Sequence, residues 1–414
     1  MKVNIVCKAI SIVLGLLVIF GSSSFAQSPA KIGFAHVFSG PMATFGEVAR
    51  QGAQIAVNEI NDSGGILGRK VELVFGDTAA KPDVGKSEIE RLVRTADVSI
   101  VIGIVSSAVA KAATPVMNDL KCPLIITHAM LDEVTGTLCN PWTFRMTWNM
   151  DQCYKASAMV AKESGAKKWT SVGPDYGFGQ DSWKYFMRYG KELGGMSFEE
   201  AIFTKMGTKD WAPVIEQLKT KSTADGIMLS LWGNDLKDFL RQAHEAGLLL
   251  DKTTICPVGG SVEIFTALGV LNMPKGVWFG SPYWYEAYNN DSNTRFIKTY
   301  SSLSGAEVPP SYAAYNSYAA IKMFKAAVEK AGSYDRSAVA KALSGLTVQD
   351  LPAGPTTFRR EDHQALFDVA FGKTSSSVSK LYKRIRSLES IRLFPGKEIT
   401  PPASEGSCKM PTLD

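Results

Sequence analysis

The feature that most limits how this chain can fold is a repeated alternation of apolar strand runs with amphipathic helical stretches. Lys31 to Phe38 reads as a first strand, closed by a turn at Ser39-Gly40-Pro41. A helix follows, with Val48, Gly52, Ile55, Ala56 and Ile60 on one stripe and Gly64-Gly65 at its end. Arg69 to Asp77 is a second strand, and Pro82 opens a helix that turns Ile89, Leu92 and Val93 inward. The β-branched run Val98 to Ile104 is a buried strand leading into Ser106-Ser107, where either hydroxyl can cap the helix through Ala110, Ala113 and Val116. Pro123 to Thr127 completes the series. Such alternation specifies a parallel sheet with helices on both faces.

The same grammar restarts after Trp142-Thr143-Phe144-Arg145. A helix at 153–164 precedes a strand near 169–172, then a long helix at 178–193. Further strands are expected at 202–203, 227–231 and 253–257. Val277-Trp278-Phe279-Gly280 is expected to return to the first sheet, before two Ala-rich helices at 312–331 and 337–343 and a β-type tail from Gly354. The fold class is therefore α/β, with two doubly wound parallel-sheet lobes. Residues 27–147 with 277–352 form the first lobe, 148–276 with 353–395 the second, and 396–414 a tail.

Met1 to Ala26 reads as an export signal: Lys2 and Lys8 give a positive start, 9–20 is mostly apolar, and Ser24-Phe25-Ala26 offers small residues for cleavage. The apolar run is short for a membrane span. Cys7 lies inside the signal and the next cysteine is Cys122, so no lipid-attachment cysteine follows cleavage. Removing Lys2 and Lys8 lowers the formal charge from +5 to +3, and no basic run alternates with aromatics, so nucleic acid is not an expected partner. Five cysteines remain without a C-x-x-C pair, and the four histidines are scattered, so neither metal nor cofactor is expected. An oxidising compartment permits disulfides. Cys122 with Cys139 is the preferred pair, since both precede apparent strands of one lobe, and the odd count leaves one thiol over.

Ligands of open α/β sheets bind beyond the carboxyl ends of the strands. Ser106 sits at such an end, as do His128, Gly173-Pro174-Asp175-Tyr176 and Trp232-Gly233-Asn234. The free amides of a helix start, beside two hydroxyls, can hold a carboxylate without Lys or Arg. A plain helix cap is the simpler alternative. An enzyme has little support: no G-x-G-x-x-G follows the first strand, and there is no G-x-S-x-G elbow.

Across the mature chain the order of motifs resembles type I periplasmic solute-binding proteins of the leucine/isoleucine/valine-binding branch. The resemblance rests on Gly40-Pro41-Met42-Ala43-Thr44-Phe45-Gly46, Gly52-Ala53, Asn58-Glu59-Ile60-Asn61, Gly64 to Arg69, Gly103 to Ser107, Phe144-Arg145, Tyr176 to Gly179, and Gly354-Pro355 with Phe358-Arg359 and Asp362-His363-Gln364. It implies a monomeric clamshell in the periplasm that closes on a small solute and delivers it to an inner-membrane ABC permease. It also implies that Ser106 and Ser107 bind a ligand carboxylate, with Phe45, Tyr176 and Tyr312 as aromatic walls and Trp232 and Asn234 on a lining loop. Thr127 and Met130 belong to the loop after the fourth strand, where the family's hydroxyl for an ammonium group is replaced by Leu131. The second-lobe loop Pro257 to Ser261 lacks the usual acid, although Asp132, Glu133 or Glu263 are near enough in sequence to substitute. The expected solute is thus a carboxylate without an α-amino group, apolar or aromatic, with a hydrophobic amino acid next. The same clamshell can also serve a membrane sensor instead of a permease.

Overall fold

A computed structural model describes residues 27–304 and 308–413. The export signal expected at 1–26 lies outside the described residues. The first sheet contains β1 (Ala30–His36), β2 (Val71–Asp77), β3 (Ile100–Gly103), β4 (Leu124–Ile126) and β5 (Thr143–Arg145), all parallel in the order β2-β1-β3-β4-β5. Helices α1 (Ala43–Asp62), α2 (Pro82–Arg94) and α3 (Ser107–Leu120) make its crossovers. They form where the apolar stripes anticipate: α1 buries Ala49, Ala53, Ile55, Ala56 and Ile60, and α2 buries Ile89, Leu92 and Val93.

The second lobe begins with α4 (Met150–Ser164), whose start is fixed by a reciprocal capping box between Asn149 and Gln152. Its strands are β6 (Lys168–Pro174), β7 (Ser197–Phe198), β8 (Ile202–Thr204), β9 (Gly226–Leu229), β10 (Thr253–Cys256) and β11 (Trp278–Ser281). Between them run α5 (Gly177–Leu193), α6 (Ala212–Thr220), α7 (Gly233–Glu245) and α8 (Val262–Asn272). The strand expected to return to the first sheet does not do so. β11 pairs in parallel with β10, Ile255 opposite Trp278, and stays in the second sheet. The α8 crossover makes this the next strand of the same wound series, and an apolar run alone does not say which of two like sheets receives it.

The chain then returns to the first lobe through α9 (Asp291–Ser304) and α10 (Tyr312–Ala331), both packed on α1, followed by α11 (Arg336–Leu343). A small antiparallel sheet of β12 (Thr347–Val348), β13 (Thr356–Phe358) and β14 (Ala365–Leu366) leads back across. The second sheet is completed by an antiparallel ribbon, β15 (Val369–Val378) and β16 (Arg386–Phe394), so it is mixed rather than wholly parallel.

The crossing segments are tied by buried side chains. Arg145 Nε donates to Gln364 Oε1 at 2.6 Å, Gln364 Nε2 donates to the Thr147 carbonyl at 2.8 Å, and Gln152 Nε2 donates to Thr400 Oγ1 at 2.8 Å. A fourth connection was not anticipated. After α12 (Gly396–Ile399), which packs on α4, the tail reaches the first lobe and Cys408 is bonded to Cys139. The expected Cys122–Cys139 pair is thus incorrect. Cys122 is a buried free thiol at the start of β4, and Cys139 takes a partner 269 residues away.

Candidate ligand-binding cleft

The turn after β3 is built on backbone that ordinary residues avoid. Gly103 has φ +139°, and a Cβ there would stand 2.0 Å from the Ala35 carbonyl oxygen, so only glycine fits. Ile104 follows with φ +68°, a conformation that costs a β-branched residue about 1–3 kcal/mol. It is held there because its N–H donates to Ala35 O at 2.8 Å while its carbonyl accepts from Ala129 N–H. This strained turn brings Ser106 into the N-cap of α3, its Oγ accepting from Val109 N–H at 3.5 Å. Ser107 opens the helix and is exposed. The first-turn amides have no intrahelical acceptor and carry the positive end of the helix dipole. Capping and anion binding are compatible here, because one hydroxyl caps while the other remains at the surface.

The next strand end supplies His128, Met130 and the buried Thr127. Thr127 Oγ1 lies 3.1 Å from the Gly103 carbonyl and 2.9 Å from His128 Nδ1, so this hydroxyl is used inside the lobe. Its carbonyl accepts from Asn316 Nδ2 of α10 at 2.8 Å. Aromatic rings run from the sheet core to the cleft: Phe34 stacks on His36 at 5.5 Å, His36 meets His128 edge-on at 4.9 Å, and His128 stands 5.6 Å from Tyr312. Burial keeps both imidazoles neutral. It lowers His36 well below its ordinary pKa, with help from His128, and brings His128 down to about 3.

A cavity of about 30 Å³ lies between the lobes. His128, Met130 and Tyr312 line it from the first lobe, Val258, Gly260 and the β11 end Gly280-Ser281 from the second, and Thr147, Trp148 and Pro282 at the crossings. Of the residues expected from sequence, Met130 and Tyr312 meet at this cavity. Tyr176 and Trp232 meet each other on the second lobe, with Trp232 Nε1 donating to Tyr176 Oη at 3.1 Å; Tyr176 is 41% exposed and stacks on Phe178. Asn234 is exposed in the first turn of α7 beside Lys237, and Phe45 is half-buried in the first turn of α1. Neither lines this cavity. Thr147 and Trp148 belong to no periodic pattern and left no signal to read, whereas Gly280 lay in a strand read from sequence but expected in the other sheet. His128 stood out only as a strand-end residue.

Two buried acids lie near the lobe boundary, and Asp132 bonds across it. Asp132 accepts from Met150 N–H at 3.2 Å and from the hydroxyl of Tyr185 on α5. Burial raises it to about 6, against the opposing pull of buried Arg145. Glu263, in the first turn of α8, has both carboxylate oxygens buried. Burial raises its pKa, and the nearby Ser311 and Ser261 hydroxyls oppose this only in part. A larger hollow of about 660 Å³ opens at the opposite ends of the first-lobe strands. Two of its cations are held in place: Arg336 is bound to Asp97 and the Val98 carbonyl, and Arg69 lies over Tyr334. Among the described residues no cluster of His, Cys, Asp and Glu is suited to a metal, and no helix is long and apolar enough to cross a membrane.

Comparison with known proteins agrees with this architecture. The family model for periplasmic binding proteins matches residues 29–378. Leu/Ile/Val-binding protein homolog 4 of Brucella melitensis is 24% identical over 425 residues, covering 99% of this chain and 98% of the relative. An amino acid ABC transporter substrate-binding protein from Pseudomonas fluorescens superposes with TM-score 0.83 at 21% identity, over 93% of this chain and all of that one. A Rhodopseudomonas palustris ABC-transporter solute-binding protein in complex with 4-hydroxybenzoate superposes with TM-score 0.74 at 22% identity, over 88% and 97%. These relatives are binding proteins and not enzymes. Two wound lobes, a cleft at their strand ends and a family match over most of its length place this chain in the periplasmic binding protein family, on the branch of the Leu/Ile/Val-binding protein homologues.

Proposed function

We propose that this protein is exported, with cleavage near Ala26, and works as the monomeric periplasmic solute-binding component of an ABC transporter. It captures a small carboxylate-bearing solute, preferably an apolar or aromatic acid, and presents it to an inner-membrane permease by hinge closure. The observation that carries this reading is the strained Gly103-Ile104 turn, which presents Ser106, Ser107 and the first amides of α3 without a cationic side chain. The solute's carboxylate lies against these groups, and Tyr176, Trp232, Phe45, Met130 and Tyr312 supply apolar walls. Because His128, Met130 and Tyr312 meet Val258 and Gly260 around the cavity, a solute that reaches between them gains its full set of contacts only when the lobes are together, which shifts the population toward closure. Structural neighbours in complex with 4-hydroxybenzoate and 3,4-dihydroxybenzoic acid make the aromatic-acid class the first to test.

A hydrophobic amino acid is the second reading, and Glu263 favours it: an ammonium group would satisfy its buried carboxylate. The same clamshell could report to a membrane receptor instead of a permease. Titration of the mature protein with benzoate, hydroxybenzoates, hydroxycinnamates, leucine and phenylalanine, followed by Trp fluorescence and calorimetry, separates the ligand classes. Tight leucine binding with no acid bound would overturn the preferred reading. Uptake of the bound solute by membranes carrying a candidate permease separates transport from sensing.

A further inference from the structure

We infer that Tyr185 is a closure residue: its hydroxyl binds the Asp132 carboxylate across the lobe boundary and favours the closed form without touching the solute. This rests on the hinge-closure reading above and goes beyond it, because it places part of the closing free energy outside the cleft.

The two partners belong to different lobes. Asp132 follows β4 of the first sheet, and Tyr185 lies midway along α5, the crossover after β6 of the second. Each is held by its own lobe. Buried Arg145 of β5 donates to the Leu131 carbonyl and to Thr135 Oγ1, which bracket Asp132 in the chain. The Arg188 guanidinium stands 4.9 Å over the centre of the Tyr185 ring, and Asp151 of α4 fixes Arg188 in turn. Donor and acceptor are thus aimed before they meet, so forming the bond costs little side-chain entropy.

Asp132 also accepts from Met150 N–H at 3.2 Å. Met150 opens α4 directly after the crossing at 146–149, so that bond stays at the pivot. Tyr185 is on the next helix, away from the crossing, and a rotation of the second lobe carries its hydroxyl off Asp132. Of the charges near the carboxylate, Arg145 stays with it in the first lobe, while Asp151 is paired with Arg188 within the second. The Tyr185 hydroxyl is the group that differs between the two forms. Without it, the closed form holds a shielded carboxylate short of a donor, whereas in the open form water takes its place. A bond to a charged group in this setting changes the closed-to-open ratio on the order of tenfold. Linkage passes that factor on. It appears in the solute Kd when the ligand-free protein is mostly open, and in the ligand-free closed fraction when it is mostly closed.

The test is Tyr185→Phe, which keeps the ring under Arg188 and removes only the hydroxyl. Single-molecule energy transfer between dyes on the two lobes gives the closed fraction of the ligand-free mature protein. Calorimetry with 4-hydroxybenzoate and leucine gives Kd for whichever binds the wild type. At least one readout should shift toward the open form by about tenfold. Asp132→Ala should do at least as much, and the double variant should add little to it, because the bond is already gone. Changes below about twofold in both readouts, whatever happens to Tm, would overturn the inference and leave the bond merely structural. Full additivity of the two substitutions would overturn it as well. A wild type that binds neither solute would count against the ligand reading, and the energy-transfer populations alone would then decide on Tyr185.

Discussion

Removing the Cys139–Cys408 bridge tests whether the tail is a structural strap or a loose end. The bridge closes a loop of 269 residues. The chain-entropy relation gives such a cross-link about 5.6 kcal/mol of stabilisation at 25 °C, through freedom denied to the unfolded chain. With about 390 residues after signal removal and roughly 2.1 cal/mol/K of unfolding entropy per residue, that corresponds to about 7 °C in Tm. This figure is a ceiling. Beyond Ile399 the tail is tied by few bonds, among them Arg359 Nη1 to the Pro401 carbonyl at 2.6 Å, and residues 404–407 are exposed. Once cut, the native tail regains freedom and returns part of the difference. The Cys139→Ser/Cys408→Ser variant should therefore melt about 3–7 °C lower by calorimetry. Reductant should lower the wild-type Tm similarly, since Cys122, Cys153 and Cys256 are buried free thiols. A change below about 1 °C would refute the reasoning, and so would an equal loss on reducing the variant.

Three further outcomes follow from the cleft. Ser106→Ala should lose a helix cap worth about 1 kcal/mol and also weaken solute binding, whereas Ser107→Ala should change only binding; equal stability losses in chemical denaturation would contradict the division of labour assigned to them. Asp132 is raised from 3.8 to about 6 in the folded protein, so folding binds its proton more tightly, and its contribution is largest below pH 4 and is lost as pH rises through 6. That loss is about 2–3 kcal/mol. Asp132→Asn should flatten this part of the pH–stability curve between pH 4 and 6, and an unchanged slope in urea titrations would show that the group is not the source. Gly280→Ala places a Cβ 2.4 Å from the Phe371 ring and 2.5 Å from the Pro257 carbonyl, so the strand at the cavity must shift. It should cost about 1–3 kcal/mol and weaken solute affinity, and a variant with wild-type Kd would detach this strand from the site.

Much of the fold was legible because period and punctuation agree. The stripe at Ile55, Ala56 and Ile60 fixed α1, and the Val98 to Ile104 run with Ser106 located both β3 and the start of α3. Partner choice was not legible. Both sheets use the same strand chemistry, so Trp278 and Phe279 could be recognised as strand but not assigned to their sheet. Local spacing favoured Cys122 for Cys139, whereas the true partner approaches only after the chain has crossed between lobes four times. The cavity escaped for a related reason. Thr147 and Trp148 sit on a crossing, where no hydrophobic period survives, and Gly280 and Ser281 end β11, the strand whose sheet the sequence left unassigned.

That placement bears on how binding drives closure. A solute held by Ser106 and Ser107 alone touches one lobe, binds open and closed forms equally, and moves no equilibrium however tightly it is held. Only contacts made in one state can shift the population, and the residues around the cavity are of that kind. His128, Met130 and Tyr312 face Val258 and Gly260 from the other lobe. The two sets of variants should therefore separate. Ser107→Ala should reduce affinity while any solute that still binds closes the protein fully. Val258→Ala should leave the first-lobe anchor intact and reduce the fraction closed at saturation. Scattering profiles at saturating solute measure that fraction directly. Full closure of the Val258 variant, with incomplete closure of the Ser107 variant, would reverse the assignment of anchor and trigger.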